Sequence, residues 1–104
     1  MIKNLELFLE YIDKELFFEA HEILEDHWKA VRETQRGKIL RGLINGATSL
    51  QLYRLGRKDA SERVWKTYLK YSKLIDIECK YHSNYIEIEK LLIIKKEKLI
   101  SITK

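Results

Sequence analysis

Hydrophobic residues recur every three or four positions along most of this chain, a spacing that predicts amphipathic helices. The clearest stretch is FFEAHEILEDHWKAV at residues 17–31, and the predicted helix runs from residue 16 to residue 31 or 32. The apolar stripe of this helix consists of Phe17, Ala20, Leu24, Trp28 and Val31. A histidine and two carboxylates, His21, Glu22 and Glu25, lie along one edge of the stripe.

Similar stripes predict four more helices, at residues 2–12, 38–55, 60–77 and 88–100. The connection at residues 13–15 is short, which favours an antiparallel hairpin between the first two helices. Gly37 and Gly56 are expected in turns, and residues 59–62 fit a capping box at the start of the fourth helix. Residues 80–87 are expected to be a polar, aromatic linker. The prediction is one all-α domain over residues 1–104, an antiparallel bundle of about five helices with helices 2–4 at its core.

The third predicted helix contains several small residues and one charged residue on its apolar face. Gly42, Gly46 and Ala47 would let another backbone approach closely, so a tight helix crossing is expected there. Arg54 falls inside the apolar arc of the same helix, with Tyr53 toward its edge. A buried guanidinium needs an anionic partner, and Glu22 or Glu25 is the obvious candidate if helices 2 and 3 face each other.

Composition narrows the class of protein. Among 104 residues, 45% are hydrophobic, there is no proline, and there are four glycines, which fits long helices with few breaks. The one cysteine, Cys79, rules out an intramolecular disulfide and favours a reducing compartment; it is expected on the inner face of the fourth helix. Neither a signal-peptide core nor a membrane span is apparent, so a cytoplasmic location is expected.

Charge is distributed unevenly along the chain. Residues 1–35 contain 4 Lys or Arg and 9 Asp or Glu, whereas residues 36–104 contain 16 and 7. The two parts can attract each other within one fold, or they can present an acidic site and a basic surface to different partners.

The segment FFEAHEILEDHW at 17–28, followed by GLINGATSLQLYRLG at 42–56, resembles the family described as domain of unknown function 309, small helical proteins of bacteria and archaea. IEIEKLL at 86–92 resembles the ending typical of that family. The resemblance implies a helical bundle, and the family has no established activity. Asn45 stands where glutamine is usual, and Arg54 stands where the family tends to have histidine. If the family site uses a second histidine as a ligand, this chain lacks it.

Three uses of the helix 2 residues are open. The preferred one is a structural polar cluster of His21, Glu22, Glu25, Tyr53 and Arg54 that could also floor a pocket. The second is a divalent metal site in a hydrolase-like enzyme, with His21, Glu22 and Glu25 as ligands and His27 or His82 as further candidates. HExxE lacks the second histidine of the HExxH zinc motif. The third is an acid–base pair in which Glu25 orients His21.

The leading functional expectation is a non-catalytic helical binding or scaffolding module with this polar cluster beside its core. Two surfaces of the molecule suggest alternatives to it. Basic side chains line the outer face of the fourth predicted helix and could contact RNA; they are Arg63, Lys66, Lys70 and Lys73. The run at residues 91–94 makes the last helix apolar on more than one side, so that helix is either wrapped by the fold or buried in a homodimer. Binding to a membrane is not expected.

Overall fold

The structure, a computed structural model, describes residues 1–102 and contains five α-helices, with no β-strand in that range. The helices are α1 (Ile2–Asp13), α2 (Phe17–Val31), α3 (Gln35–Arg54), α4 (Lys58–Ser72) and α5 (His82–Ile102). They form the all-α bundle that the hydrophobic pattern predicts, with α2, α3 and α4 at its centre.

Helix α3 is the central element of this bundle. It packs against α2, α4 and α5, and its buried positions extend from Gly37 to Leu50. A Cβ added at Gly42 would lie 2.9 Å from Tyr71 Cβ of α4, and one added at Gly46 would lie 2.9 Å from Leu92 Cδ1 of α5. The tight crossing predicted for these small residues is therefore confirmed.

The α1–α2 turn is fixed by Glu15. This residue has a φ of +62°, in the left-handed region that non-glycine residues rarely adopt. Its carboxylate accepts hydrogen bonds from Lys95 Nζ at 3.1 Å and Lys98 Nζ at 2.7 Å, both on α5. Its carbonyl oxygen accepts a hydrogen bond from Arg54 Nη1, at 2.7 Å. One residue therefore ties the turn to the end of α3 and to α5.

Two predicted helix starts are wrong. Helix α3 begins at Gln35 instead of residue 38, because Thr34 caps it by accepting a hydrogen bond from the Gly37 amide. Gly37 consequently lies in the first turn of α3, against the carbonyl of Val31. Helix α4 begins at Lys58, and its N-cap residue, Arg57, makes no side-chain capping bond, so the predicted capping box is absent.

The boundary between the last two helices also differs from the prediction. Helix α4 ends at Ser72, and α5 begins at His82 instead of residue 88, so part of the expected linker is helical. Tyr85 and Ile88, three positions apart, are both buried and extend the inward face of α5 by a turn. Cys79 lies in the connection between α4 and α5, half-buried, and not on the inner face of α4.

Helix α5 is covered on one side. Leu92 is buried, whereas Ile93 and Ile94 are exposed. The fold thus covers α5 in part, and the homodimer through this helix stays a prediction. Among the described helices, none combines the length and the apolar character that crossing a bilayer requires.

Candidate functional site

His21 and Glu25 lie one turn apart on α2, at the edge where α2 meets α3. His21 Nε2 is 3.4 Å from Glu25 Oε2, and both side chains are about one-third exposed. This i, i+4 spacing brings side chains together on one helix face, as the sequence predicts. Lys29 approaches the other oxygen of the Glu25 carboxylate at 3.9 Å.

Helix α3 contributes a polar stripe that faces this pair. Arg41, Asn45 and Thr48 recur at four- and three-residue spacing along the helix. A hollow of about 150 Å³ opens between the two helices. Its lining residues are His21, Glu25, Trp28, Arg41, Ile44 and Asn45.

A second hollow, of about 180 Å³, continues along the same helix pair toward the start of α2. Its lining residues are Phe17, Phe18, His21, Thr48, Gln51 and Leu52. His21 lines both hollows, and the two together are called here the α2–α3 groove. Most of the surface that lines either hollow is apolar, and the charged and amide side chains Glu25, Arg41 and Asn45 lie at the end near Arg41.

Two polar atoms in this groove are buried without a partner. His21 Nδ1 and Trp28 Nε1 have no hydrogen-bond acceptor or donor among the residues the structure describes. A buried polar group left unpaired costs about 1–3 kcal/mol relative to a paired one.

Arg54 lies outside this groove, contrary to the sequence expectation. It is exposed, and its guanidinium stacks 4.6 Å from the centroid of the Phe17 ring while donating to the Glu15 carbonyl and to Gln51. The reason is its position: Arg54 is the last residue of α3, beside the beginning of α2, whereas Glu22 and Glu25 lie one to two turns further along α2.

The other two members of the expected cluster are also separate from the groove. Glu22 is exposed on α2. Tyr53 is half-buried, and Lys58 Nζ lies 5.6 Å from the centroid of its ring. Of the five predicted residues, the structure brings together His21 and Glu25.

No group of three or more His, Cys, Asp or Glu side chains within residues 1–102 is placed to hold a metal ion. His27 and His82 each have one buried ring nitrogen without a hydrogen-bond partner in the described part of the chain. Neither histidine lines the α2–α3 groove.

The residues that the sequence analysis missed are mostly on α3. Arg41, Asn45 and Thr48 form the wall opposite His21, and Phe18 forms the apolar end. The sequence does contain a signal for these α3 residues. A polar stripe at four- and three-residue spacing beside an apolar stripe indicates the edge of a helix face, where the buried surface meets the solvent.

A part-buried polar contact connects α4 and α5. The Tyr68 hydroxyl donates to Glu89 Oε2 at 3.0 Å. Burial raises the pKa of the Glu89 carboxyl, although the hydrogen bond from Tyr68 opposes this shift. Burial, together with the nearby Glu89 carboxylate, also raises the pKa of the Tyr68 hydroxyl. Nothing in the sequence pattern had marked Glu89.

The fold and the groove define a small all-α protein with a shallow surface groove between two central helices. The chain belongs to the family described as "Domain of unknown function (DUF309)", whose model matches residues 5–66. This match covers α2, α3 and therefore every residue that lines the α2–α3 groove. No curated protein and no solved structure shows a significant match to the chain.

Proposed function

We propose that this chain is a non-catalytic helical binding or scaffolding module whose binding surface is the α2–α3 groove. The observation that carries the proposal is the pair of hollows that meet at His21. Side chains of two packed helices form the walls, so the surface has a fixed shape before a partner arrives. The partner class is another protein that presents a short segment to the groove.

The apolar end supports recognition of a hydrophobic side chain. Phe18 is 55% exposed beside the hollow that Leu52 and Thr48 line. An aromatic ring next to a small hollow is the kind of anchor that dominates binding energy at protein interfaces.

The polar end supports selectivity. The Arg41 side chain only donates hydrogen bonds, the Glu25 carboxylate accepts them, and the Asn45 amide can do both. A partner segment would therefore be selected by the order of the donors and acceptors along it. Arg41 also lies with its guanidinium carbon 5.6 Å from the Tyr71 ring centroid, which restrains its position.

The experiment starts from affinity purification of partners with the wild-type chain, followed by measurement of the 1:1 dissociation constant with each purified partner. Phe18→Asp removes the apolar anchor and Thr48→Arg fills the hollow beside it. Each variant is expected to weaken binding by about tenfold or more, because both alter the centre of the proposed contact.

Glu33→Lys is the matched control, since the Glu33 side chain is 92% exposed beyond the end of α2. It is expected to bind like the wild type. Equal binding by all variants would overturn the proposal. Stoichiometric metal in protein purified without chelators, lost in His21→Ala together with a hydrolytic activity, would replace it with the metal-dependent enzyme.

A further inference from the structure

The bundle has a second groove, between α1 and α5, that is distinct from the α2–α3 groove. Leu9, Leu91 and Ile94 form its apolar floor in a hollow of about 460 Å³. Ile94 is 57% exposed there. This set of residues is called the α1–α5 groove.

The rim of the α1–α5 groove is acidic. Glu6 and Asp13 of α1 and Glu87 of α5 are exposed carboxylates, and Lys90 is the one basic residue that lines the hollow. Glu10 also lines it, with its carboxylate paired to Lys14 at 2.8 Å. An apolar floor between carboxylates fits an amphipathic helix whose apolar residues are flanked by lysine or arginine.

Helix α4 of this same chain presents one exposed apolar residue with basic side chains beside it. Leu69 is 44% exposed there, and the one acid nearby, Glu62, is paired with Lys96 of α5. The basic side chains around Leu69 are all exposed, and they are Arg63, Lys66, Lys70 and Lys73. From Arg63 to Lys73 this face spans about 15 Å of helix, and from Glu6 to Asp13 the acidic rim spans about 10 Å, so the rim can face part of the basic face at one time.

One copy cannot join these two surfaces by itself. Helix α4 packs on α3 and also contacts α5 through Tyr68 and Glu62, whereas α1 packs on α2 and α5. None of the basic side chains of α4 lines the α1–α5 groove. Their complementarity can be used between copies of the chain.

We propose that the α1–α5 groove receives the basic face of α4 from a second copy of this chain. Such a contact is heterologous, so each copy retains one free groove and one free α4 face, and association continues head to tail or closes into a ring. The proposal does not depend on the α2–α3 groove.

Sedimentation equilibrium of the wild-type chain from about 10 µM to about 500 µM tests self-association in a range suited to a small, charged interface. The weight-average mass is expected to rise with concentration. The apparent dissociation constant is expected to increase by tenfold or more between about 50 mM and about 500 mM NaCl, because salt screens exposed charges. A wild-type chain that stays monomeric throughout would overturn the proposal.

Two charge-reversal variants identify the surfaces. Lys66→Glu with Lys70→Glu cancels the positive charge that the four basic side chains give the α4 face, and Glu6→Lys with Asp13→Lys makes the rim basic; all four substituted side chains are exposed. Each variant alone is expected to associate at least about tenfold more weakly than the wild type, because opposite charges no longer face each other between its copies. An equimolar mixture is expected to associate more tightly than either variant alone, since the unchanged rim of the α4 variant still pairs with the unchanged α4 face of the rim variant.

The control Arg32→Glu with Lys38→Glu changes net charge as the α4 variant does, at exposed positions outside both surfaces. It is expected to associate like the wild type. Circular dichroism establishes that each variant folds. If the rim variant self-associates more weakly but the α4 variant does not, the proposal is overturned in favour of a symmetric contact through α5. Failure of the mixture to associate would overturn the proposal as well.

Discussion

At the scale of single residues, Glu15 joins more of the bundle than any residue singled out from the sequence. It combines an unusual backbone conformation with contacts to Lys95, Lys98 and Arg54. The hydrogen bonds from the two lysines lower the pKa of its carboxyl below the usual value of 4.5. Lys95 is 12% exposed, so this contact is better shielded from solvent than an ordinary surface ion pair.

Glu15→Gln is expected to lower the free energy of unfolding by about 1 kcal/mol near pH 7, the upper end of the range for partly exposed pairs. Because the folded-state pKa is lowered, this stabilisation is present above pH 4.5 and disappears as the pH falls through the folded-state value. Urea unfolding at about pH 7 and about pH 3 measures the difference.

Glu6→Gln provides the comparison, since Glu6 is an exposed carboxylate on α1. Its effect near pH 7 is expected to be small. If the difference in free energy of unfolding between the wild type and Glu15→Gln is the same at about pH 3 as at about pH 7, the lysine contacts do not cause that difference.

At the scale of helices, α4 and α5 are positioned by close approach at the glycines of α3 and by hydrogen bonds: buried ones between Ser49 of α3 and Ser61 of α4, and a part-buried one between α4 and α5. The two small residues of α3 that lie at these crossings, Gly42 and Gly46, have different nearest neighbours. At Gly42 the nearest atom is Tyr71 Cβ, which moves only with the α4 backbone, whereas at Gly46 it is Leu92 Cδ1, the end of a flexible side chain.

Gly42→Ala is therefore expected to destabilise the bundle by about 1–3 kcal/mol, the usual cost of overpacking. Gly46→Ala is expected to change stability by less than about 1 kcal/mol, because the gain in helix propensity offsets a small movement of Leu92. Thermal unfolding followed by circular dichroism compares the two variants. Equal losses would mean that the α3–α4 contact is no more rigid than the contact with Leu92.

The Tyr68–Glu89 hydrogen bond leads to the opposite pH dependence from Glu15. Burial raises the folded-state pKa of Glu89, so the wild type loses stability as the pH rises from 4.5 through that raised value. Glu89→Gln keeps an oxygen that can accept from Tyr68 and removes the buried charge. It is expected to equal or exceed the wild type in stability near pH 7, and this advantage should vanish below pH 4.5.

Tyr68→Phe separates the hydrogen bond from the charge. It leaves the Glu89 carboxylate without its donor, and a loss of about 1–2 kcal/mol near pH 7 is expected. Urea unfolding across the acidic range measures both variants. A marked loss of stability in Glu89→Gln near pH 7 would contradict this account, because it would mean that the buried charge itself is favourable.

At the scale of the whole molecule, hydrophobic periodicity was sufficient to predict five helices, since burial of one stripe per helix determines the bundle. It failed at ends determined by single contacts, such as the Thr34 cap and the early start of α5 before Tyr85. It also paired Arg54 with the wrong region of α2. The face of a helix on which a residue lies can be predicted from the sequence. The axial register of two packed helices, which decides the residues that lie opposite each other, depends on the turn between them.

The uneven charge of the chain has one visible result in the fold. Glu15 belongs to the acidic first third, and its partners Lys95 and Lys98 belong to the basic remainder. The two parts thus attract each other across about 80 residues of sequence, as the sequence analysis allowed. Exposed charges of both signs remain on α1 and α4.

Lys96 of α5 has its ammonium 4.2 Å from the centroid of the Trp65 ring while pairing with Glu62 at 3.0 Å, both on α4. A cation held this close to an indole alters the energy of the excited ring. In a Trp28→Phe background, the emission of the remaining tryptophan would report the separation of the last two helices without an added dye. The fluorescence of Trp65 is therefore an intrinsic probe for the separation of α5 from α4.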